Sequence, residues 1–399
     1  MGVSAKPILI AGAGIAGLTA ALAFAMRGFH VRVFERSARF EEVGAGIQIS
    51  PNATRILRKL GVLDGLLPKA VKPHSIILRD AKTLKELARV ALGPAQEKRW
   101  GAPYIVAHRA DLQAALLEVA SRQASIEIVT DATITGMRLL DGVSVDVLRA
   151  GESERENGQL LIAADGVWSR LRGLTGPYEK SRFSGELAWR TVLDGKSAEA
   201  QALRDMGAAD SVTAFLHSGF HLIAYPVRGG AAFNLVAFTP GQRIAEDWSG
   251  AADVSVLKQA MRNTAPALSR LAENAGPWVA WPIHTVDPKT HWTVPGLALI
   301  GDAAHAMTPF AAQGAAMAIE DAETLADAVA GLTGDLPTAL AGWEASRRPR
   351  IERVARRGAF NHFAWQAKGP IAMARNLVLK TRSPEKLAAD MDWLYGRGD

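Results

Sequence analysis

The sequence predicts an α/β fold: a parallel-sheet domain that is discontinuous in the chain, an inserted, mainly antiparallel β-sheet, and a helical C-terminus. Short apolar runs at residues 7–11, 160–164 and 297–300 are typical of strands buried on both faces of a parallel sheet. Residues 180–286 alternate apolar and polar side chains in several runs, as antiparallel strands do. Beyond residue 313, helix-forming residues dominate.

These patterns divide the chain into three parts. The first domain is predicted to take residues 1–73, 104–178 and 288–365. The inserted sheet domain is predicted to take residues 74–103 and 179–287, with short strands from about residue 75 to 107. Residues 366–399 are predicted to form a helical tail.

Composition excludes several classes of site. The 399 residues include no cysteine, which excludes disulfides, thiolate zinc sites, iron–sulfur clusters and cysteine nucleophiles. The net charge of +6 is small for this length and does not indicate nucleic-acid binding. Residues 8–26 carry no charge, but glycines divide them into a strand and a helix, so no transmembrane span is expected. A cytoplasmic protein is expected, as a monomer or a homodimer, with no metal.

A glycine-rich loop follows the first predicted strand. Gly12 to Gly17 read G-x-G-x-x-G between that strand and a helix, and Glu35 ends the next strand. Such a loop lets the backbone approach a pyrophosphate at a helix N-terminus, and the acid meets an adenosine ribose. The acid favours FAD or NAD over NADP, although Arg36 follows it. The predicted dinucleotide contacts here are Gly12, Gly14, Ile15, Ala16, Gly17, Glu35 and Arg36.

Two further strands end in an acid beside a glycine. Asp165-Gly166 follows the strand at 160–164, and Gly301-Asp302 follows the strand at 297–300. Because ligands collect at the carboxyl ends of strands in open α/β sheets, both acids are candidate ligand contacts.

With these motifs the chain resembles the single-component flavoprotein aromatic monooxygenases, typified by salicylate hydroxylase and para-hydroxybenzoate hydroxylase. The resemblance covers nearly the whole chain. It includes residues 44–48, residues 108–112 and the helix that carries Trp343, Arg347 and Arg350.

The resemblance implies bound FAD, a transient NADH or NADPH, O2 and a small phenolic or carboxylated aromatic substrate, hydroxylated through a C4a-hydroperoxyflavin. Asp302 would bind the ribityl chain, Arg109 the pyrophosphate region, and Asp165 would lie near both cofactors. Pro309 would lie beside the flavin carbon that takes oxygen, and the helix after Gly314 would point its N-terminus at the flavin. The same resemblance adds Gly46 and Gly301 to the cofactor contacts.

Candidate substrate contacts lie mainly in the inserted sheet. His221 and Tyr225 are four residues apart, on one face of a predicted strand, and are the candidate catalytic pair, because a base near a phenol makes its ring electron-rich. Arg190 is a candidate partner for a substrate carboxylate. Gln48 and Phe310 are candidate pocket residues.

Other interpretations remain open. The same fold serves epoxidases, quinone-precursor hydroxylases and halogenases, and a non-catalytic dinucleotide-fold binding protein would keep the glycine loop alone. The tryptophans at 278 and 281 are expected in core packing. The basic run at residues 347–357 is expected to form a solvated helix face, with Glu344 and Glu352 as partners.

Overall fold

A computed structural model describes residues 6–40, 45–176, 180–242 and 253–396. Gly44, part of one of the motifs above, lies outside these ranges. The strands are β1 (Ile8–Ala11), β2 (Val31–Phe34), β3 (Gly46–Ile49), β4 (Ser75–Asp80), β5 (Glu86–Ala91), β6 (Ile105–His108), β7 (Ile126–Val129), β8 (Ala132–Leu140), β9 (Gly142–Arg149), β10 (Glu152–Gly158), β11 (Leu160–Ala163), β12 (Arg182–Asp194), β13 (Ser211–His217), β14 (Phe220–Val227), β15 (Ala232–Pro240), β16 (Val279–Thr285), β17 (Thr293–Val294) and β18 (Leu297–Leu299).

The α-helices are α1 (Ile15–Ala25), α2 (Pro51–Lys59), α3 (Leu63–Leu66), α4 (Pro94–Trp100), α5 (Arg109–Ser121), α6 (Ala198–Asp205), α7 (Ser255–Met261), α8 (Pro266–Asn274), α9 (Asp302–His305), α10 (Gly314–Ala330), α11 (Leu336–Trp365), α12 (Gly369–Lys380), α13 (Pro384–Ala389) and α14 (Asp392–Tyr395). Short 3-10 turns form at Leu171–Leu174, Arg228–Gly230 and Pro309–Ala311.

The first sheet has six strands in the order β17-β18-β11-β1-β2-β7. Neighbours from β18 to β7 pair in parallel, and only β17 runs antiparallel. All four residues of β1 and of β11 are buried, which explains their uninterrupted apolar sequences. Because β1, β11 and β18 are parallel neighbours, their carboxyl ends lie side by side at one edge of the sheet.

The second large sheet has seven strands in the order β16-β12-β15-β14-β13-β4-β5. Every pair is antiparallel except β13 with β4. One face packs against the parallel-sheet domain, and the other buries its own apolar core, with Trp189, Phe215 and Phe233, under α6, α7 and α8. The α/β fold with an inserted, mainly antiparallel sheet and a helical C-terminus is thereby confirmed.

Smaller elements complete the molecule. Strands β8, β9 and β10 form a three-stranded antiparallel sheet, and β3 pairs with β6. The stretch expected to hold only short strands, from about residue 75 to 107, also contains helix α4, which begins at a proline after Gly93 and ends at Gly101 in the left-handed conformation. In the described ranges, no helix combines the length and apolarity of a membrane span.

Candidate functional site: a dinucleotide groove beneath a polar sheet face

The glycine loop closes tightly on its neighbours. Gly12 has a φ of +101°, and a Cβ there would lie 2.6 Å from the carbonyl oxygen of Ala164. A Cβ on Gly17 would lie 1.9 Å from the carbonyl oxygen of Gly12, so the third glycine lets α1 pack on its own turn. A Cβ on Gly14, in contrast, would meet nothing within 4 Å. The space in front of Gly14 is therefore open, as approach to a pyrophosphate requires.

Glu35 is held at this loop. Its Oε2 accepts a hydrogen bond of 2.8 Å from the backbone N–H of Ala13, and its Oε1 accepts one of 3.0 Å from Ser37. Carboxylate oxygens keep further lone pairs for a ribose hydroxyl. Arg36 is exposed beside it. Ile15 and Ala16 follow in the first turn of α1, whose N-terminal N–H groups face the open space.

The Gly301-Asp302 turn packs between helices α1 and α10. Gly301 has a φ of +59°, and a Cβ there would lie 2.9 Å from Cβ of Ala318 on α10 and 3.3 Å from Cβ of Ala16 on α1. Asp302 itself is exposed, and its Oδ1 lies 4.0 Å from the place of a Cβ on Gly314. The Asp302 carboxylate thus lies beside the N-terminus of α10.

A buried ionic network behind this turn holds it in place. Both oxygens of Asp321 are occupied: Oδ2 accepts from the backbone N–H of Gly301 at 3.0 Å and lies 2.5 Å from Nε2 of His305, and Oδ1 accepts from Nε of Arg347 at 2.9 Å. Burial would raise the pKa of Asp321, but His305, Arg347 and these hydrogen bonds outweigh it and hold the pKa at about 2. His305 therefore contacts the carboxylate that holds the turn.

The network continues toward the turn that Pro309 begins. Glu320 accepts from Arg347, Arg350 and Asn52 at 2.6–2.8 Å. Nδ2 of Asn52 also donates to Oε1 of Gln313 at 3.3 Å, and Nδ2 of Asn361 donates to the carbonyl of Phe310 at 2.9 Å. Hydrogen bonds thus connect α2, α10, α11 and the turn at Pro309–Ala311. The expectation that residues 347–357 form a solvated face was wrong for Arg347, which is 5% exposed, because two acids of α10 require a buried cation.

Gly46, Arg109 and Asp165 frame the groove from the remaining sides. Gly46 pairs with His108, and the backbone N–H of Arg109 donates to Ala45, so the exposed Arg109 begins α5 next to β3. Asp165 follows β11, the neighbour of β18, so only one strand spacing of about 4.8 Å separates the strand ends of Asp165 and Asp302. Burial raises the pKa of Asp165, and its Oδ1 is enclosed without a partner among the described residues.

These observations fit FAD. The groove offers open space at Gly14, a helix N-terminus for phosphates, a fixed carboxylate at Glu35, and two acids, Asp165 and Asp302, within reach of one extended cofactor. Among the described residues, no three histidine or acidic side chains gather as a metal would require.

One face of the antiparallel sheet lies toward this groove. Among apolar side chains it carries five polar ones, and it is called the polar sheet face here: Glu186, Arg190, His221, Tyr225 and Asn234. Register places Ala188 opposite Phe238, and Phe238 opposite His221, in one row across the sheet. Side chains two residues apart on a strand share a face, so Arg190 and Tyr225 lie on this face with His221. The ring of Tyr225 lies over Gly46, because a Cβ on Gly46 would be 2.6 Å from its Cε2.

His221 occupies an aromatic box. Its ring lies 4.7 Å from Phe238, 5.3 Å from Phe310 and 5.2 Å from Trp365, centroid to centroid. The side chain is fully buried, and neither ring nitrogen has a partner among the described residues. Burial, assisted by His362, lowers the pKa of His221 to about 3, so the ring is neutral at physiological pH.

The guanidinium of Arg190 has no acidic ion-pair partner among the described residues. Its guanidinium lies 5.5 Å from the ring centroid of Trp281, and its Nε is enclosed and lacks a hydrogen-bond partner. Burial and the nearby Arg109 lower its pKa to about 10. No acidic side chain in the described ranges pairs with it. Trp281 packs against the core, as expected, and its ring also lies beneath the Arg190 guanidinium.

Phe310 packs against His221 and Phe238, whereas Gln48 is held by a different residue, Tyr104. Oε1 of Gln48 accepts a 2.7 Å hydrogen bond from the buried hydroxyl of Tyr104. Phe310 stacks on His362 at 4.3 Å and packs edge-on against His221. The turn that Pro309 begins carries Phe310 into this position.

Several site residues had no signal in the sequence. Asn234, fully buried on β15, accepts a 2.6 Å hydrogen bond from the N–H of Gly46 and joins the sheet to the groove. Glu186 lies on the polar sheet face with its Oε1 3.3 Å from Nε2 of His362. Burial raises the pKa of Glu186 to about 7. Only strand and helix packing brings residues this far apart in sequence together.

Comparisons with known proteins point the same way. The model of a family described as FAD binding domain matches residues 5–358. A 3-hydroxybenzoate 6-hydroxylase of Polaromonas naphthalenivorans (strain CJ2) is 33% identical over 393 residues, covering 98% of this chain and 96% of that protein. A 3-amino-4-hydroxybenzoate 2-monooxygenase of Streptomyces platensis is 32% identical over 392 residues, covering 98% of this chain and 95% of that protein. The crystal structure of Klebsiella pneumoniae HpxO complexed with FAD and uric acid has 25% identity and a TM-score of 0.84, covering 99% and 98%.

Proposed function

The chain belongs to the FAD-dependent aromatic monooxygenases, and on this premise we propose that it hydroxylates a small aromatic ring bearing both a hydroxyl and a carboxylate. NADH or NADPH is the proposed transient reductant, and O2 the oxygen source. The similar proteins named for hydroxybenzoates support this substrate class.

The observation that carries the proposal is the cation on the polar sheet face. A guanidinium enclosed at Nε, without an acid among the described residues, needs a charged partner, because burying an unpaired charge is costly. A substrate carboxylate supplies that partner and accepts hydrogen bonds in the fork geometry of arginine. Arg190 thereby orients the ring beneath His221 and Tyr225, on the same face of the sheet.

FAD, when bound, would supply the redox chemistry by which two electrons from NADH or NADPH and one molecule of O2 yield one hydroxylated ring and one water. The chain holds that cofactor with the glycine loop, Glu35, Asp165 and Asp302, and shields the reacting centre with apolar rings. Phe238, Phe310 and Trp365 enclose His221 and exclude water from its side of the pocket.

His221 accepts the phenolic proton in this proposal. A neutral imidazole with two unpartnered nitrogens has an acceptor available in either tautomer. Its pKa is low because burial disfavours an isolated imidazolium. A phenolate formed beside it is the opposite charge that stabilises the imidazolium, so proton transfer creates an ion pair rather than a lone charge. Tyr225, whose pKa burial raises, stays a neutral hydroxyl that orients the phenol oxygen.

A matched pair of substrates tests the role of Arg190. With 3-hydroxybenzoate and 3-hydroxybenzamide as substrates, the wild-type enzyme is expected to favour the acid in kcat/KM by about 10²-fold, a buried charged pair being worth roughly 3 kcal/mol. Arg190→Met is expected to abolish this preference while FAD content stays unchanged. An unchanged acid-to-amide ratio in the variant would exclude Arg190 as the carboxylate partner.

The base is tested separately. His221→Ala is expected to slow product formation by about 10²-fold, the lower end for a general base, with the FAD content of the wild type. Tyr225→Phe is expected to have a smaller effect. Wild-type turnover of both variants at saturating substrate would remove the pair from the mechanism.

A further inference from the structure

The C-terminal arm, defined here as residues 358–382 at the end of α11 and in α12, carries an apolar face that stays exposed in the described part of the chain. Helix α12 has no buried residue. At about 100° per residue, its apolar side chains fill one continuous outward arc. The exposed fractions in the arm are 60% for Phe360, 60% for Phe363, 51% for Ile371, 74% for Met373, 67% for Leu377 and 58% for Val378. A helix that is apolar on its outward face is expected to be covered by something.

Charge in this region is of one sign. Residues 353–384 contain seven lysines and arginines and no aspartate or glutamate over 32 consecutive positions. Without these seven, the chain has 39 basic against 40 acidic residues, out of 46 and 40 in total. The whole positive excess of the chain therefore lies in and next to the arm.

The basic side chains surround the apolar arc rather than interrupt it. Lys368 precedes α12, and Lys380 ends it, and both are exposed. Arg375 turns inward, where its Nη1 donates to the carbonyls of Ala364 and Trp365 and fastens α12 to the end of α11. The outward face of α12 is thus apolar with cations at both ends.

The exposed apolar face and the positive charge together indicate what binds the C-terminal arm. A second copy packed across a two-fold axis would bring the same cations together, which opposes association. A nucleic acid would match the charge but leave the apolar arc uncovered. An anionic lipid surface matches both, because apolar side chains enter the acyl boundary while lysine and arginine contact the phosphates. We propose that the C-terminal arm docks this enzyme onto bilayers that contain anionic phospholipid.

The docking surface lies on the outside of a pocket wall. Trp365 contacts His221, and His362 stacks on Phe310, from the same last turns of α11 that expose Phe360 and Phe363. A docked arm therefore brings the substrate side of the molecule to the membrane surface. This inference rests on the exposed face and its charge, and does not depend on the proposed substrate.

Vesicle co-sedimentation of the FAD-loaded full chain tests the proposal. Vesicles of phosphatidylcholine mixed with phosphatidylglycerol are expected to bind the protein, with binding falling steeply as salt rises, and vesicles of phosphatidylcholine alone are expected to bind it weakly. Met373→Ser with Leu377→Ser, and separately Lys368→Glu with Lys380→Glu, are expected to weaken binding by about tenfold or more. Each variant should keep wild-type turnover in the absence of vesicles.

The matched control is Leu139→Ser with Leu140→Ser, a pair 53% and 70% exposed at the β8–β9 hairpin. It removes comparable apolar surface elsewhere and is expected to leave binding unchanged. Equal binding by wild type and both arm variants would overturn the proposal. The proposal would also be overturned if the wild type bound no vesicles and the Met373→Ser, Leu377→Ser variant changed from dimer to monomer. Binding of duplex DNA instead of vesicles would overturn it as well.

Discussion

Replacement of Asp321 by asparagine tests the claim that a buried carboxylate holds the cofactor loop. The side chain is fully buried and serves three donors: the N–H of Gly301, His305 and Arg347. A pKa held at about 2 instead of 3.8 corresponds to roughly 2 kcal/mol of stability at neutral pH. An asparagine also leaves the Arg347 cation with less compensation, so a total loss of about 3–5 kcal/mol is expected.

Urea unfolding at pH 7, monitored by tryptophan fluorescence, measures this loss. The measurement is made on the FAD-free protein and again after FAD is restored. Flavin titration of the same variant is expected to show weaker FAD binding, because one amide oxygen cannot serve the three donors that the carboxylate serves, among them the N–H of Gly301. Since the folded-state pKa is depressed, the contribution of Asp321 is complete above about pH 4 and is lost as pH falls toward 2. The difference between wild type and variant should therefore shrink at low pH.

Asp327→Asn is the matched control on the same helix. Asp327 pairs with Arg27, but its side chain is 62% exposed, so the loss is expected to stay below about 1 kcal/mol. A loss below 1 kcal/mol for Asp321→Asn as well, with unchanged FAD affinity, would refute the reasoning that this network supports the loop.

Three further predictions concern the groove and the sheet face. Burial raises the pKa of Glu186 to about 7, so its contribution to folding stability declines as the pH rises from about 4.5 to 7. Glu186→Gln should therefore be more stable relative to wild type at pH 8 than at pH 5. In urea unfolding the expected difference is about 1–2 kcal/mol, after a discount for partial hydration of the side chain. Gly46→Ala should lower kcat at least about tenfold, since its Cβ would lie 2.6 Å from Tyr225, whereas Gly65→Ala, where a Cβ meets nothing within 4 Å, should turn over normally. Asp302→Ala should raise the Kd for FAD about tenfold in a flavin-fluorescence titration, and an unchanged Kd would remove Asp302 from the cofactor site.

Individual strands of the parallel sheet could be predicted because their signals are local, whereas their order in the sheet was not predicted. Each parallel strand is buried on both faces and so reads as a short apolar run, as β1 and β11 do. At Gly12 and Gly17 a Cβ would clash with backbone atoms, so only glycine fits, and the two residue types by themselves indicate the tight turn. The ends of these strands then place Glu35, Asp165 and Asp302 at one edge.

The polar sheet face was only partly predictable. Spacing put His221 and Tyr225 on one side of β14, since alternation along a strand is a local property. Neither spacing nor composition showed that Trp365, from the far end of α11, closes over His221, or that Arg190 lies on Trp281. Those contacts depend on strand register and helix docking between segments more than 80 residues apart.

The sequence alone thus determined the class of the fold, the dinucleotide loop and the identity of the polar groups that end its strands, because those features are written within a few consecutive residues. Only the tertiary structure decided which charges are buried. Arg347 and Arg356 belong to one basic run and look alike in sequence, yet Arg347 is 5% exposed against Asp321 and Glu320, while the side chain of Arg356 is 70% exposed. The physical reason is that the cost of burying a charge depends on the partners that other parts of the chain bring to it.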